Sequence, residues 1–188
     1  MNVILKSSSP RRKELLEKMG IKFDIKVYPV DEEIDVSKTP YENVKELGLK
    51  KAMVNSEKDY GNILIGCDTI VVLDGVIFGK PKDREDAYKM LKALSGKTHE
   101  VMSGVGIIYK DNIYNFVCVS KVYFKELSDK DIYDYIETGE CFGKAGAYAI
   151  QGIGYMLVDK YEGSLDNIIG LPTEMVSEIL GEINGMEN

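Results

Sequence analysis

Val3-Ile4-Leu5, followed by Ser7-Ser8-Ser9-Pro10-Arg11-Arg12, is the stretch that decides how this 188-residue chain is read. The apolar run has the character of a short buried strand. Ser9 stands where an N-cap belongs, and Pro10 suits the first turn of a helix. Leu15, Leu16 and Met19 then recur at helical spacing up to a stop at Gly20. A strand that turns directly into a helix is the elementary unit of an α/β architecture. Free backbone N–H groups and the positive end of a helix dipole favour an anion. Two guanidinium groups beside them can grip a phosphate through paired hydrogen bonds. Cations at a helix start are unfavourable unless something acidic compensates them. The turn therefore favours a phosphorylated ligand over a plain capped helix.

Working outward, Phe23–Val30 alternates enough for a second strand, with Phe23, Ile25 and Val27 on one face. An acidic segment follows, Asp31-Glu32-Glu33-Ile34-Asp35. Thr39-Pro40 opens a second helix, with Val44, Leu47, Lys51, Ala52 and Val54 on or beside one face. Ile63–Cys67 is an apolar strand that ends at Asp68-Thr69. Ile70–Leu73 and Val76–Phe78 flank Asp74-Gly75 and read as a hairpin. Asp83 caps a helix from Arg84 to Leu94. His99–Tyr109 and Ile113–Phe124 read as an antiparallel pair. Ser128 caps a helix to Glu137, with Asp131 three residues into it. Ala147–Ile150 and Tyr155–Asp159 read as short strands, and Thr173–Ile183 as a terminal helix. The sum is a mixed α/β or α+β chain, with two lobes on one extended sheet.

Composition narrows the function. A hydrophobic share of 44% with 29% charged residues is that of a globular protein. A net charge of −7 argues against binding nucleic acid over a broad basic surface. It leaves room for a nucleotide pocket, which needs only a few local cations. Cys67, Cys118 and Cys141 are three, far apart, and in neither zinc-ligand nor disulfide spacing. No signal-peptide pattern and no membrane-length apolar run is legible, so the expectation is a cytoplasmic protein without a membrane partner. A single histidine, His99, leaves no basis for a His-rich metal site.

Chemistry concentrates at a few further points. Asp68-Thr69 puts a carboxylate after a buried strand, where sheet enzymes place a metal ligand or general base; a loop-opening aspartate is the alternative. Glu32 lies in an acid run that is a solvated face unless it meets Asp68 in space. Gly79-Lys80-Pro81 offers a fixed turn and a point charge for a phosphate oxygen, but is no P-loop. Gly143-Lys144-Ala145-Gly146 through Gln151-Gly152 combines small residues with an amide able to read a base edge. Tight turns would explain the same glycines.

In order along the chain, these elements resemble the Maf family of nucleoside triphosphate pyrophosphatases. The resemblance runs through Ser7-x-Ser9-Pro10-Arg11-Arg12, Asp31-Glu32, Leu47…Lys51-Ala52, Asp68-Thr69 and Gly79-Lys80-Pro81. It continues through Leu94-Ser95-Gly96…His99-x-Val101, Lys144-Ala145-Gly146-Ala147-Tyr148…Gln151-Gly152 and Gly170-Leu171-Pro172. It implies a single domain over 1–188 with an inosine-triphosphatase-like mixed α/β fold, and two lobes around a central cleft. It also implies hydrolysis of a nucleoside triphosphate to monophosphate and pyrophosphate with Mg²⁺ or Mn²⁺. By matching position, Asp68 is the proton acceptor and Glu32 the second acid, both toward the metal. Arg11, Thr69 and Gln151 match positions that set base specificity. Ser7, Arg12, Lys51, Lys80 and Lys144 match the shell around the phosphates.

The Lys-Ala-Gly-x-Tyr-x-Ile-Gln-Gly form resembles the branch acting on dTTP and UTP, with tolerance for modified pyrimidines. Two other readings stay open: a nucleotide-binding regulator of division with little turnover, and a hydrolase of 7-methyl-GTP or purine triphosphates. The long β-rich runs are compatible with a homodimer. Departures from the family pattern are Lys6 and Gly48 in place of alanine, and Ser103 and Ser120 in place of threonine.

Overall fold

The computed structural model describes residues 2–186. Among the described residues, a seven-stranded mixed sheet carries six α-helices. The chain divides into two compact units. The first comprises residues 1–68, 103–118 and 170–188, and the second residues 69–102 and 119–169.

In the first unit, β1 (Val3–Leu5) pairs in parallel with β2 (Phe23–Ile25) on one side and with β3 (Ile63–Leu73) on the other. Helix α1 (Pro10–Lys18) joins β1 to β2. Ser9 occupies the N-cap position, but its side chain makes no capping bond. Helix α2 (Pro40–Met53) starts on a capping box: Thr39 accepts from the Glu42 N–H while the Glu42 carboxylate takes the Thr39 N–H. Ile4, Ala52, Leu64 and Ile108 form its buried apolar cluster. Helix α6 (Thr173–Met186) buries Val176, Leu180 and Ile183.

The seating of α2 decides the site. Gly66 on β3 and Gly104 and Gly106 on β5 (Thr98–Tyr109) present bare backbone to it. A Cβ on Gly66 would lie 2.2 Å from the Ala52 nitrogen, and one on Gly104 1.9 Å from the Val44 oxygen. Gly48 meets the same surface, since a Cβ there would lie 2.3 Å from the Gly104 oxygen. Its departure from alanine thus belongs to a close helix–sheet contact.

In the second unit, β3 turns through Asp74-Gly75 into β4 (Val76–Phe78), both turn residues having positive φ as a primed hairpin requires. Helix α3 (Arg84–Leu94) is capped by Asp83, and α4 (Asp129–Glu137) by the Ser128–Asp131 box, as the sequence predicts. Tyr88 of α3 stacks on Tyr133 of α4 with ring centroids 4.9 Å apart. Strand β6 (Asn112–Phe124) neighbours β5 through a two-residue turn, which only antiparallel pairing permits, and pairs with β7 (Val158–Glu162). A short helix, α5 (Leu165–Ile169), precedes Gly170. The core gathers Leu91, Leu94, Phe124, Ile132, Ile136 and Tyr148.

Three expectations are corrected. The second strand stops at Ile25, because β1, its partner, is three residues long. Ala147–Ile150 is no strand, because Gly146 and Ala147 both adopt positive φ in a 3-10 turn. The strand expected at Tyr155–Asp159 begins only at Val158, after a 3-10 turn over Ile153–Leu157. No helix among the described residues is long and apolar enough to cross a membrane.

Candidate active site

Asp68 does not end its strand. Strand β3 runs on to Leu73, and Asp68 and Thr69 are its only two residues that are not buried. Strand alternation puts Asp68 on the face of Gly66, two residues earlier. That face carries α2 at backbone contact. Lys51, next to Ala52, therefore comes within reach of the Asp68 carboxylate, 2.6 Å from Lys51 Nζ to Asp68 Oδ1. The same ammonium lies 2.8 Å from Glu32 Oε1. Glu32 and Asp68, 36 positions apart in the chain, thus converge on one cation.

The acidic segment is positioned by the neighbouring lysine. Lys50 Nζ donates to the Asp31 carbonyl at 2.7 Å, while the Asp31 side chain accepts from the Glu33 N–H. Glu32, rather than Asp31, joins Asp68.

The opening turn forms a second group in this unit. Arg12 Nη1 donates to Ser7 Oγ at 3.0 Å, and Arg12 Nε donates to the Gly170 carbonyl at 2.9 Å. The same carbonyl lies 3.3 Å from Cys67 Sγ. Arg12 so joins the Ser7 turn to Gly170-Leu171-Pro172, a motif with no assigned partner in the sequence. Burial, and then the adjacent Arg12 charge, lower the pKa of Arg11. A cation in that position gains from an anion.

Lys6, the residue before the turn, neither faces a ligand nor reaches solvent. It is 4% exposed, and its Nζ lies 2.7 Å from Asp59 and over the Tyr28 ring. Lys26 closes the other side of Asp59.

The second unit holds Thr69, Lys80, Lys144 and Gln151. Gln151 and Lys80 are exposed, whereas Thr69 and Lys144 are half-buried. The Gly146 N–H donates to the Gly79 carbonyl at 3.0 Å and ties the Lys144 loop to the Lys80 loop. His99 is buried against Tyr148 and Phe124, with Nε2 2.7 Å from the Tyr148 hydroxyl, and is structural.

Sequence reasoning missed Gly66 and Lys50. A glycine inside an otherwise apolar strand was the available sign of the first. The second carried no signal.

The Asp68 and Glu32 carboxylates, which meet on the Lys51 ammonium, are hard oxygen donors of the kind Mg²⁺ or Mn²⁺ takes alongside water and phosphate oxygens. Among the described residues, no three or more His, Cys, Asp or Glu side chains are grouped to hold an ion by themselves. The donor set fits an ion shared with a phosphorylated ligand.

Fold and geometry define the class: a mixed α/β protein in which a strand aspartate and a loop glutamate meet on one helix lysine, and a serine–arginine turn opens the first helix. Residues 2–183 match the family model described as Maf-like protein, and the chain belongs to that family. It is 45% identical over 183 residues to the dTTP/UTP pyrophosphatase of Clostridioides difficile (strain 630), covering 96% of this chain and 94% of the relative. It is 44% identical over 186 residues to the protein of that name from Ruminiclostridium cellulolyticum, covering 97% and 96%. The dTTP/UTP pyrophosphatase of Caldicellulosiruptor saccharolyticus is 46% identical over 191 residues, covering 96% and 94%. Family and fold are those the sequence motifs imply.

Proposed function

We propose that the chain is a nucleoside triphosphate pyrophosphatase that hydrolyses dTTP and UTP to the monophosphate and pyrophosphate. The observation that carries this is the convergence of Asp68 and Glu32 on Lys51, in a chain about 45% identical along nearly its whole length to relatives bearing that name. Asp68 takes the proton of a water that attacks the α-phosphorus, and the bond to the β-phosphoryl oxygen breaks. Lys51 fixes the directions of both carboxylates, so the base is set before substrate arrives. Arg12 and Ser7 hold phosphate oxygens at the start of α1, and Lys80 and Lys144 supply further positive charge for the leaving pyrophosphate. Arg11, Thr69 and Gln151 contact the base. Mg²⁺ or Mn²⁺, held by Asp68 and Glu32, would offset phosphate charge when bound. No disulfide links Cys67, Cys118 or Cys141, which suits a reducing cytoplasm.

Pyrophosphate release over a panel of dTTP, UTP, CTP, GTP and 7-methyl-GTP tests the substrate. Preference for 7-methyl-GTP overturns the pyrimidine assignment. Asp68→Asn should lower kcat by about 10²-fold or more. Turnover near the wild-type rate in that variant removes Asp68 from its role. Release that fails to track the protein through repurification would favour a binding protein instead.

A further inference from the structure

Gln151 stands at the apex of a loop that contains no regular strand. An exposed side chain on such a loop selects a base only if its backbone is held. The residues that hold it lie in α4 and just beyond. The Glu140 carboxylate accepts from the Ile153 N–H at 2.9 Å through Oε1, and from the Gly154 N–H at 2.8 Å through Oε2. Tyr135 donates its hydroxyl to Glu140 Oε2 at 2.8 Å. That hydroxyl also accepts from the Ala149 N–H at 3.2 Å. The segment 149–154 is thus pinned two residues before Gln151 and two and three residues after it.

The two glycines that follow Gln151 serve this arrangement. A Cβ on Gly152 would lie 1.9 Å from Glu140 Oε1, and one on Gly154 would lie 2.6 Å from the Ala149 oxygen. Burial pushes the Glu140 carboxyl up, but the two backbone N–H groups and the Tyr135 hydroxyl outweigh it and hold it below its ordinary value. The clamp is therefore a charged one, and charged acceptors make the stronger hydrogen bonds.

We propose that Glu140 and Tyr135 are positioning residues that hold Gln151 in its base-reading place, and so set nucleotide preference without touching the phosphates. The proposal rests on the reading of Gln151 as a base contact. It predicts a separation between base-dependent and phosphate-dependent behaviour that a merely structural role would not produce.

The test compares the wild-type protein with Glu140→Gln, Tyr135→Phe, Gln151→Ala and the double variant Glu140→Gln/Gln151→Ala. Steady-state kinetics are measured on dTTP, UTP and GTP, together with inhibition by inorganic pyrophosphate. For Glu140→Gln and Tyr135→Phe, KM for dTTP should rise about tenfold and preference for dTTP over GTP fall by a similar factor. The value of kcat should stay within about twofold, since no group in contact with the phosphates changes. The inhibition constant for pyrophosphate should not rise. The double variant should be no worse than Gln151→Ala alone, as expected for residues acting through one another.

Wild-type preference in folded Glu140→Gln and Tyr135→Phe, beside lost preference in Gln151→Ala, overturns the clamp alone. A pyrophosphate constant that rises in step with KM also overturns it. Wild-type preference in Gln151→Ala overturns the base-contact reading and the clamp with it. Should Glu140→Gln fail to fold, Tyr135→Phe decides by the same criteria, because it keeps the ring and removes only the hydroxyl.

Discussion

Replacing Gly66 by alanine puts a methyl group 2.2 Å from the Ala52 nitrogen, 2.6 Å from the Gly48 oxygen and 2.8 Å from the Ala52 Cα. All three are backbone atoms of α2, so no rotamer change relieves the overlap. Moving from 2.2 Å to the 3.4 Å of ordinary contact requires the helix to withdraw by about 1.2 Å at that point. Overpacking of this kind costs about 1–3 kcal/mol. For a chain of this length the melting temperature should fall by roughly 2–12 °C. Lys51, the residue beside Ala52, moves with the helix, while Asp68 stays on the strand. A displacement near 1 Å at such a site lowers turnover by about 10²-fold. Thermal melts and rates of pyrophosphate release from dTTP read the two effects separately. Gly181→Ala in α6 is the control, since a Cβ there meets nothing within 4 Å. It should stabilise the helix by about 0.4–1 kcal/mol and leave turnover alone. If Gly66→Ala melts and turns over like wild type, the account of α2 is wrong. A lower melting temperature with unchanged kcat refutes the link between helix seating and the site.

Lys6→Met removes one of the two cations on buried Asp59 and should destabilise the protein by about 3 kcal/mol or more, read as a lower urea midpoint; an unchanged midpoint refutes a structural role for that pair. Burial pushes Asp59 up, but the hydrogen bonds from Lys26 and Lys6 and their charges prevail and leave it below its ordinary value. That stability is therefore present above pH 4 and lost as pH falls further, and the lost part should vanish in Asp59→Asn. His99 titrates at about 4, against 6.5 for an exposed imidazole, because burial disfavours its charged form. Between those values the unfolded chain binds a proton that the folded chain refuses. Stability should therefore fall below pH 6.5, by about 1.4 kcal/mol at pH 5.5. Urea midpoints at pH 7.5 and 5.5 should show that loss in wild type but not in His99→Gln; equal losses refute it.

The elements legible in the sequence were those with their own start and stop chemistry. Asp83, Thr39 with Glu42, Ser128 with Asp131, and Asp74-Gly75 each satisfy local backbone groups, so their effect needs no distant partner. The second strand failed for the opposite reason. Its alternation continues to Val30, but a strand is only as long as its partner, and that limit is written in β1. Asp68-Thr69 looked like the end of a strand because two polar residues interrupt an apolar run. The run resumes at Ile70 in the same strand, and the interruption marks the site itself. The segment after Gly146 is apolar and buried, yet its turn is set by two positive-φ residues, one of them an alanine that no propensity would place there. The residue types of the site were legible as chemistry. Their convergence on Lys51 was not, because Glu32 and Asp68 lie 19 and 17 positions from it, on a loop and a strand.

That convergence depends on α2 more than on the acids themselves. Between Lys26 and Thr39 the chain makes no helix or strand, so Glu32 has no scaffold of its own. Helix α2 supplies one at two points. Near its start, buried Asn43 donates to the Asp35 and Thr39 carbonyls and accepts from the Asp35 N–H. Near its end, Lys50 takes the Asp31 carbonyl and Lys51 the Glu32 carboxylate. Asn43 and Lys50 are seven residues apart, about 10.5 Å along a helix. Asp31 and Asp35 are four apart, about 13 Å if fully extended. The loop can therefore run alongside α2 with little slack, pinned at both ends of its acidic part. Successive helical residues diverge by about 100°, which lets Lys50 face the loop backbone while Lys51 also reaches the sheet. The glycines beneath then set the helix close enough for that reach to end on Asp68. A longer side chain under α2 would leave every proposed catalytic group present and their meeting point empty.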